Sequence, residues 1–212
     1  MTAAEINEEE SSEAARLESL WRGGFGDDYT DRNERAGELR AKFWNGLLAR
    51  HRPGSFLEVG CNIGGNLQHV TASAQVAVGV DVNRDALKRM LEILPSAYAV
   101  QTAGRSLPFK SETFALTATV GVLIHQPEAS LREVMSEIVR CSSRWVLSAE
   151  YFAPVTTEVS YRGVEGALFK RDYRTLFLEW FPELRVAEDG YLGPDDGFDD
   201  VTWYLFEKVG HE

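Results

Sequence analysis

The sequence predicts an α/β sandwich: a seven-stranded, mostly parallel sheet with helices on both faces and a C-terminal antiparallel hairpin. Three observations carry this. From Ser55 to Ala149, five short apolar runs alternate with stretches of helical period, the pattern of a parallel sheet covered on both sides. Two further strand-like runs, 184–187 and 201–208, follow with no helix between them. Such a pair closes as a hairpin. The first apolar run also ends in Gly60-Cys-Asn-Ile-Gly-Gly65 ahead of a helix start, which directs ligands to the carboxyl ends of the strands.

Each element has its own signal. Residues 1–14 are polar and acidic (Glu5, Glu8, Glu9, Glu10, Glu13) with no apolar stripe, and read as a disordered tail. The rest, 15–212, reads as one domain, with 15–50 as an N-terminal helical lid. Leu17, Leu20 and Trp21 begin a short helix. Trp21 to Asn33 is rich in glycine, aromatics and charge and reads as a loop. Asp31 and Glu34 have capping-box spacing. They open a helix whose apolar positions Ala36, Leu39, Phe43, Trp44, Leu47 and Leu48 run to Pro53-Gly54.

The alternation then places strands at 55–60, 75–81, 97–102, 114–120 and 144–149. Helices fall at 65–73, from Asn83 to Leu94, and from Pro127, where proline suits a first helical turn. Residues 152–171 break the pattern with Pro, Thr, Tyr, Arg and Gly and read as an insertion over the sheet edge. A last helix spans about 172–181.

Composition narrows the function classes. The 212 residues carry a net charge of −11, which argues against nucleic acid as the main partner. No apolar run is long enough to span a bilayer, and the N-terminus lacks a signal-peptide layout. Two cysteines and four scattered histidines make neither a disulfide framework nor a metal site. The expectation is a cytoplasmic, enzyme-sized domain acting on a small molecule, without metal; oligomeric state is left open.

The glycine turn after the first strand gathers free N–H groups at a helix start, an anion cradle. A dinucleotide fingerprint requires G-x-G-x-x-G, and its middle glycine is missing here. Instead the stretch is Glu58-x-Gly60-x-x-x-Gly64, and Val76-Ala-Val-Gly-Val-Asp81 supplies a second carboxylate for ribose hydroxyls. This resembles the first motifs of the class I S-adenosylmethionine-dependent methyltransferases. Three further blocks are similar to a subfamily named for its association with pseudaminic acid biosynthesis: Phe25–Asn33, Gly121–His125 with Pro127-Glu128, and Glu150–Phe152 with Ser160–Gly163 and Leu168–Tyr173, running on to Asp199–Lys208.

The resemblance implies S-adenosylmethionine as cofactor, held by Glu58, Gly60, Cys61, Asn62, Gly64, Asn66, Asp81, Val82, Gly104, Arg105, Gly121 and Arg32. Where many relatives carry an adenine-binding Asp before Leu-Pro-Phe, this chain has Ala103, so adenine is expected on the backbone of Gly104 and Arg105. His125 is the leading candidate to orient or deprotonate an acceptor, since an ordinary imidazole titrates near neutrality. Glu150 either caps the next loop or contacts substrate, and Tyr161 completes the catalytic candidates. Tyr29, Arg162, Lys170 and Arg171 are substrate-binding candidates, favouring an acidic sugar or carboxylate. The acidic run Asp195, Asp196, Asp199 and Asp200 keeps an amine or guanidine open. Two rival classes remain: an NAD(P)-dependent oxidoreductase, and a non-catalytic S-adenosylmethionine-binding module.

Overall fold

The computed structural model describes residues 3–33 and 37–210. Its strands are β1 (Ser55–Val59), β2 (Val76–Asp81), β3 (Tyr98–Gln101), β4 (Phe114–Val120) and β5 (Ser142–Glu150). The short pair β6 (Thr157–Glu158) and β7 (Phe169–Lys170) lies in the insertion, and β8 (Leu184–Leu192) and β9 (Val201–Lys208) form the terminal hairpin. Seven of them make one sheet in the order β3-β2-β1-β4-β5-β9-β8. Parallel pairing aligns Leu57 of β1 with Val78 on one side and Thr117 on the other. β9 inserts antiparallel between β5 and β8.

From β1 the chain moves outward to β2 and β3, then jumps back to β4. The carboxyl ends of β1 and β4 therefore border the crevice where such sheets bind ligands.

Side chains alternate across the sheet, so each strand feeds two apolar layers. Phe56, Leu116, Ala118, Leu147 and Leu205 pack against Trp44, Leu47 and Leu67 on one face. Leu57, Val59, Val146 and Phe206 pack against Leu131, Met135, Ile138 and Phe177 on the other. Burial on both faces explains why the central strands read as nearly continuous apolar runs.

The helices are α1 (Ala3–Arg22), α2 (Gly24–Arg32), α3 (Ala41–His51), α4 (Leu67–Val70), α5 (Arg84–Ile93), α6 (Glu128–Cys141) and α7 (Tyr173–Trp180). Asn83 caps α5, its side-chain oxygen accepting from the N–H of Asp85 and Ala86. Asp172 caps α7 through the N–H of Thr175. Both caps satisfy donors that a helix start leaves orphaned.

Four expectations are corrected. Residues 3–14, expected as a tail, extend α1, because alanine and glutamate are strong helix formers. Residues 24–32, expected as a loop, form α2. The aromatic spacing Trp21, Phe25, Tyr29 is i, i+4, i+8, a helix stripe that the glycines obscure. Asp31 therefore ends a helix rather than opening one, and pairs with Arg89; its partner Glu34 and Ala36 lie outside the described residues. Strand β8 also runs five residues past its expected end at 187. It is an edge strand with alternating exposure, so little of it is apolar. No helix among the described residues is long and apolar enough to cross a membrane.

Candidate active site

The turn after β1 is shaped by backbone constraint. Gly60 has φ +75°, and a Cβ there would lie 2.2 Å from Val122 Cγ2. Only glycine lets the two loops at the switch point approach this closely. Asn62 also takes a left-handed φ of +47°, which asparagine tolerates better than most residues. Its N–H donates to Asp81 Oδ2 at 2.8 Å, and the N–H of Asn83 donates to Oδ1 at 2.9 Å. Asp81 thus ties the tip of β2 to the glycine turn. Burial still pushes its pKa up against those hydrogen bonds.

Behind the turn lies a network the sequence shows only in part. Asn66 donates to Glu58 Oε1 at 2.7 Å, and its own carbonyl accepts from Arg40 Nη1 at 2.8 Å and Trp44 Nε1 at 3.2 Å. Arg40 also donates to the Gly197 carbonyl and stacks on Phe198. Glu58 Oε2 is buried and makes no hydrogen bond of ordinary geometry, although the Leu67 N–H also faces the carboxylate and favours its charged form. Burial raises the Glu58 pKa to about 7, with Asn66 and Arg40 pulling the other way. Orphaned buried acceptors are rare and usually mark a missing donor. Arg40 escapes sequence reading because nothing local marks it; two residues of α3, Phe43 and Trp44, dominate that stretch.

A solvent-open cavity runs along the carboxyl ends of β1, β2 and β4, lined by Val59, Gly60, Asn62, Asp81, Val82, Thr102, Ala103, Gly104, Arg105, Gly121, Val122 and His125. Leu17, Glu18, Trp21, Tyr29 and Thr30 of α1 and α2 roof it. The roof is fastened to the loops beneath. Thr30 donates to Asn62 Oδ1 at 2.9 Å, Asn83 donates to Asp27 Oδ1 at 2.7 Å, and Glu18 pairs with Arg105.

Residues 56–144 match a family described as a methyltransferase domain. No curated protein matches the sequence. Among solved structures, magnesium protoporphyrin IX methyltransferase from Synechocystis, with bound S-adenosylhomocysteine, is 11% identical. It has a TM-score of 0.69 over 92% of this chain and 99% of that one. The 1,6-didemethyltoxoflavin-N1-methyltransferase of Burkholderia thailandensis, also holding S-adenosylhomocysteine, is 12% identical, with a TM-score of 0.70 over 92% and 90%. A protein from Pyrococcus horikoshii is 15% identical at 0.60 over 85% and 91%. The fold is therefore the Rossmann-like methyltransferase sandwich expected from the sequence, and S-adenosylmethionine is the cofactor such domains take. The residues present fit it. Glu58 and Arg40 lie behind the turn rather than among the cavity-lining residues; the free Glu58 Oε2 would accept from an α-ammonium, and Arg40 would suit an α-carboxylate.

The remaining candidates separate by position. Val82, Gly104, Arg105 and Gly121 line the cavity. Cys61 turns its thiol away, to Met90 at 3.6 Å, and Gly64 packs against Leu94 and Met90; both shape the turn through backbone. Arg32 is exposed at the end of α2, off the cavity.

His125 donates from Nδ1 to the Ala167 carbonyl at 2.6 Å. That contact leaves Nε2 as an acceptor, and burial lowers the pKa to about 4. The expectation of an imidazole titrating near neutrality is thus corrected. Glu150 accepts from the N–H groups of Val122 and Ile124 and from the Thr119 hydroxyl, each at 3.2 Å. It braces the turn carrying His125, the loop after β4 rather than the one that follows Glu150 itself. Tyr161 packs on His125 at 5.1 Å between centroids.

The basic set scatters. Arg162 is exposed beside the Tyr161 ring, and Lys170 lies over Tyr151 at 5.5 Å. Arg171 is 2% exposed, donating to the Gln126 carbonyl at 3.1 Å and stacking on Phe169. Its place is beneath the turn, not on the cavity. Among the described residues no group of three or more His, Cys, Asp or Glu could hold a metal ion.

Proposed function

We propose that this methyltransferase domain transfers a methyl group from S-adenosylmethionine to an oxygen or nitrogen of a small-molecule acceptor. The observation that carries the reading is the buried Glu58 Oε2, without a hydrogen bond of ordinary geometry, with Arg40 linked to it through Asn66. One free carboxylate oxygen and one guanidinium at the glycine turn match an amino acid's two charges and do not match a pyrophosphate. An NAD(P)-dependent oxidoreductase, by contrast, requires glycine where Asn62 holds the turn.

When bound, the cofactor supplies a sulfonium methyl, and its transfer is an in-line displacement that needs alignment more than activation. In this reading Asp81 accepts from the ribose hydroxyls, and the Gly104–Arg105 backbone holds adenine against Ala103 and Val134. The α1–α2 roof excludes water. His125 orients the acceptor through Nε2. Its lowered pKa makes it a weak base at neutral pH, so orientation is its main contribution. Tyr161 packs on it, and Tyr29 joins the same cluster through Trp21.

For the acceptor, the acidic class keeps Lys170 and loses Arg171, while Arg162 stands in solvent. Tyr29 feels Asp199 as well as Arg40, which leaves a basic group possible.

Isothermal titration tests the reading. S-adenosylhomocysteine is expected to bind, with NADH giving no heat. Saturable NADH binding with no response to S-adenosylhomocysteine refutes the proposal. His125→Ala is expected to keep that binding and lose transfer; unchanged transfer would remove His125 from the site, and a protein that binds but methylates no acceptor would be the non-catalytic module.

A further inference from the structure

The wall of the cavity where a methyl group would project is aromatic, and one ring fills its centre. The Trp21 indole lies 4.5 Å from the His125 ring, 5.2 Å from Phe25, 5.3 Å from Tyr29 and 6.3 Å from Tyr161, measured between centroids. Trp21, Tyr29 and His125 line the cavity, whereas Phe25 and Tyr161 close the cluster from behind. A molecule approaching His125 from that side meets the indole first.

We infer that Trp21 is a stand-in ligand: its indole occupies the acceptor slot between Phe25, Tyr29, His125 and Tyr161, and the acceptor is a flat, uncharged aromatic or heteroaromatic ring that displaces it. This inference rests on the methyl-transfer reading above and names its substrate class.

Three observations support it. First, Trp21 Nε1 is buried without a hydrogen-bond partner. A buried indole N–H normally finds an acceptor, and an unmade bond favours an exchange that satisfies it. Second, the side chains in ring contact with the indole are Phe25, Tyr29, His125 and Tyr161, none of them a lysine, arginine or carboxylate. Arg162 lies over the Tyr161 ring with its side chain exposed, and Arg171 is committed to the Gln126 carbonyl. Third, the backbone under the indole is pinned. The Trp21 carbonyl accepts from Asn83 Nδ2 at 3.3 Å, and a Cβ on Gly26 would lie 1.9 Å from it. The roof can therefore stay closed over the cofactor while the side chain alone swings out, toward the solvent that Trp21 partly meets.

The test uses the full chain saturated with S-adenosylhomocysteine, and four probes: indole, 4-hydroxyquinoline, N-acetylneuraminic acid as a sugar acid, and agmatine as a cationic amine. The wild-type protein is expected to bind 4-hydroxyquinoline with a change in tryptophan fluorescence that Trp21→Phe abolishes. Trp21→Ala, which empties the slot, is expected to bind indole and 4-hydroxyquinoline about tenfold more tightly than wild type, the equivalent of one aromatic contact. Adding Tyr161→Ala to it should reverse that gain. Retained titration with S-adenosylhomocysteine shows that each variant is folded; Trp21→Leu serves where the alanine variant fails this check.

Binding of the sugar acid or agmatine without either bicycle overturns the inference, as does a Trp21→Ala protein that binds the bicycles no better than wild type. In both cases intact S-adenosylhomocysteine binding leaves the methyl-transfer reading standing. Failure of that binding in wild type removes both.

Discussion

Glu58 offers the sharpest test of how the cofactor's amino-acid end is held. Burial holds its carboxyl near 7 rather than 4.5, which corresponds to roughly 3 kcal/mol against the charged form. An α-ammonium hydrogen-bonded to the free Oε2 reverses that preference, so binding must expel the proton wherever Glu58 still carries it. With a free-protein pKa of about 7, the protonated fraction falls from about nine-tenths near pH 6 to about one-tenth near pH 8. The dissociation constant for S-adenosylhomocysteine should therefore be about tenfold weaker near pH 6 than near pH 8.

Titration calorimetry in two buffers of different ionisation enthalpy should also register proton release near pH 6. Glu58→Gln keeps an acceptor for Asn66 but cannot ionise. It should flatten the pH dependence and weaken binding near pH 8 by about 1.5–3 kcal/mol, the worth of a charged hydrogen bond. A wild-type affinity independent of pH, or the same slope in Glu58→Gln, would refute the reasoning.

Two more outcomes follow from the same geometry. Gly60→Ala places a methyl 2.2 Å from Val122 Cγ2 at φ +75°; it should cost about 2 kcal/mol in denaturant unfolding and weaken S-adenosylhomocysteine binding at least about tenfold. Gly54→Ala, where an added Cβ meets nothing within 4 Å, should change neither. Glu150 has a folded pKa raised from 4.5 to about 7 by burial, so the folded protein holds that proton more firmly than the unfolded chain. Its contribution is complete below the ordinary carboxylate value and is lost as pH rises toward 7. Scanning calorimetry should show Glu150→Gln losing less stability than wild type between about pH 5 and about pH 8, the two diverging by up to roughly 3 kcal/mol.

The comparison of sequence with structure turns on the range of each signal. Strands β1, β2 and β4 were readable to within a residue because sheet burial on both faces writes itself as local apolar runs, bounded by Gly60, Asp81 and Gly121. The Asn83 cap was readable for the same reason, since cap and helix are neighbours in the chain. α2 was not, because its aromatic stripe is stabilised by His125 and Tyr161, a hundred or more residues away.

Local residue chemistry thus determined the α/β alternation, the glycine turn with Glu58 and Asp81, and the lack of a dinucleotide fingerprint. Only the tertiary structure decided what those groups face. It brought Arg40 to the Asn66 side chain, set Arg171 beneath Gln126, neutralised His125 by burial, and seated Trp21 among four other rings. Desolvation and partner choice depend on residues distant in the chain, and no local pattern records them.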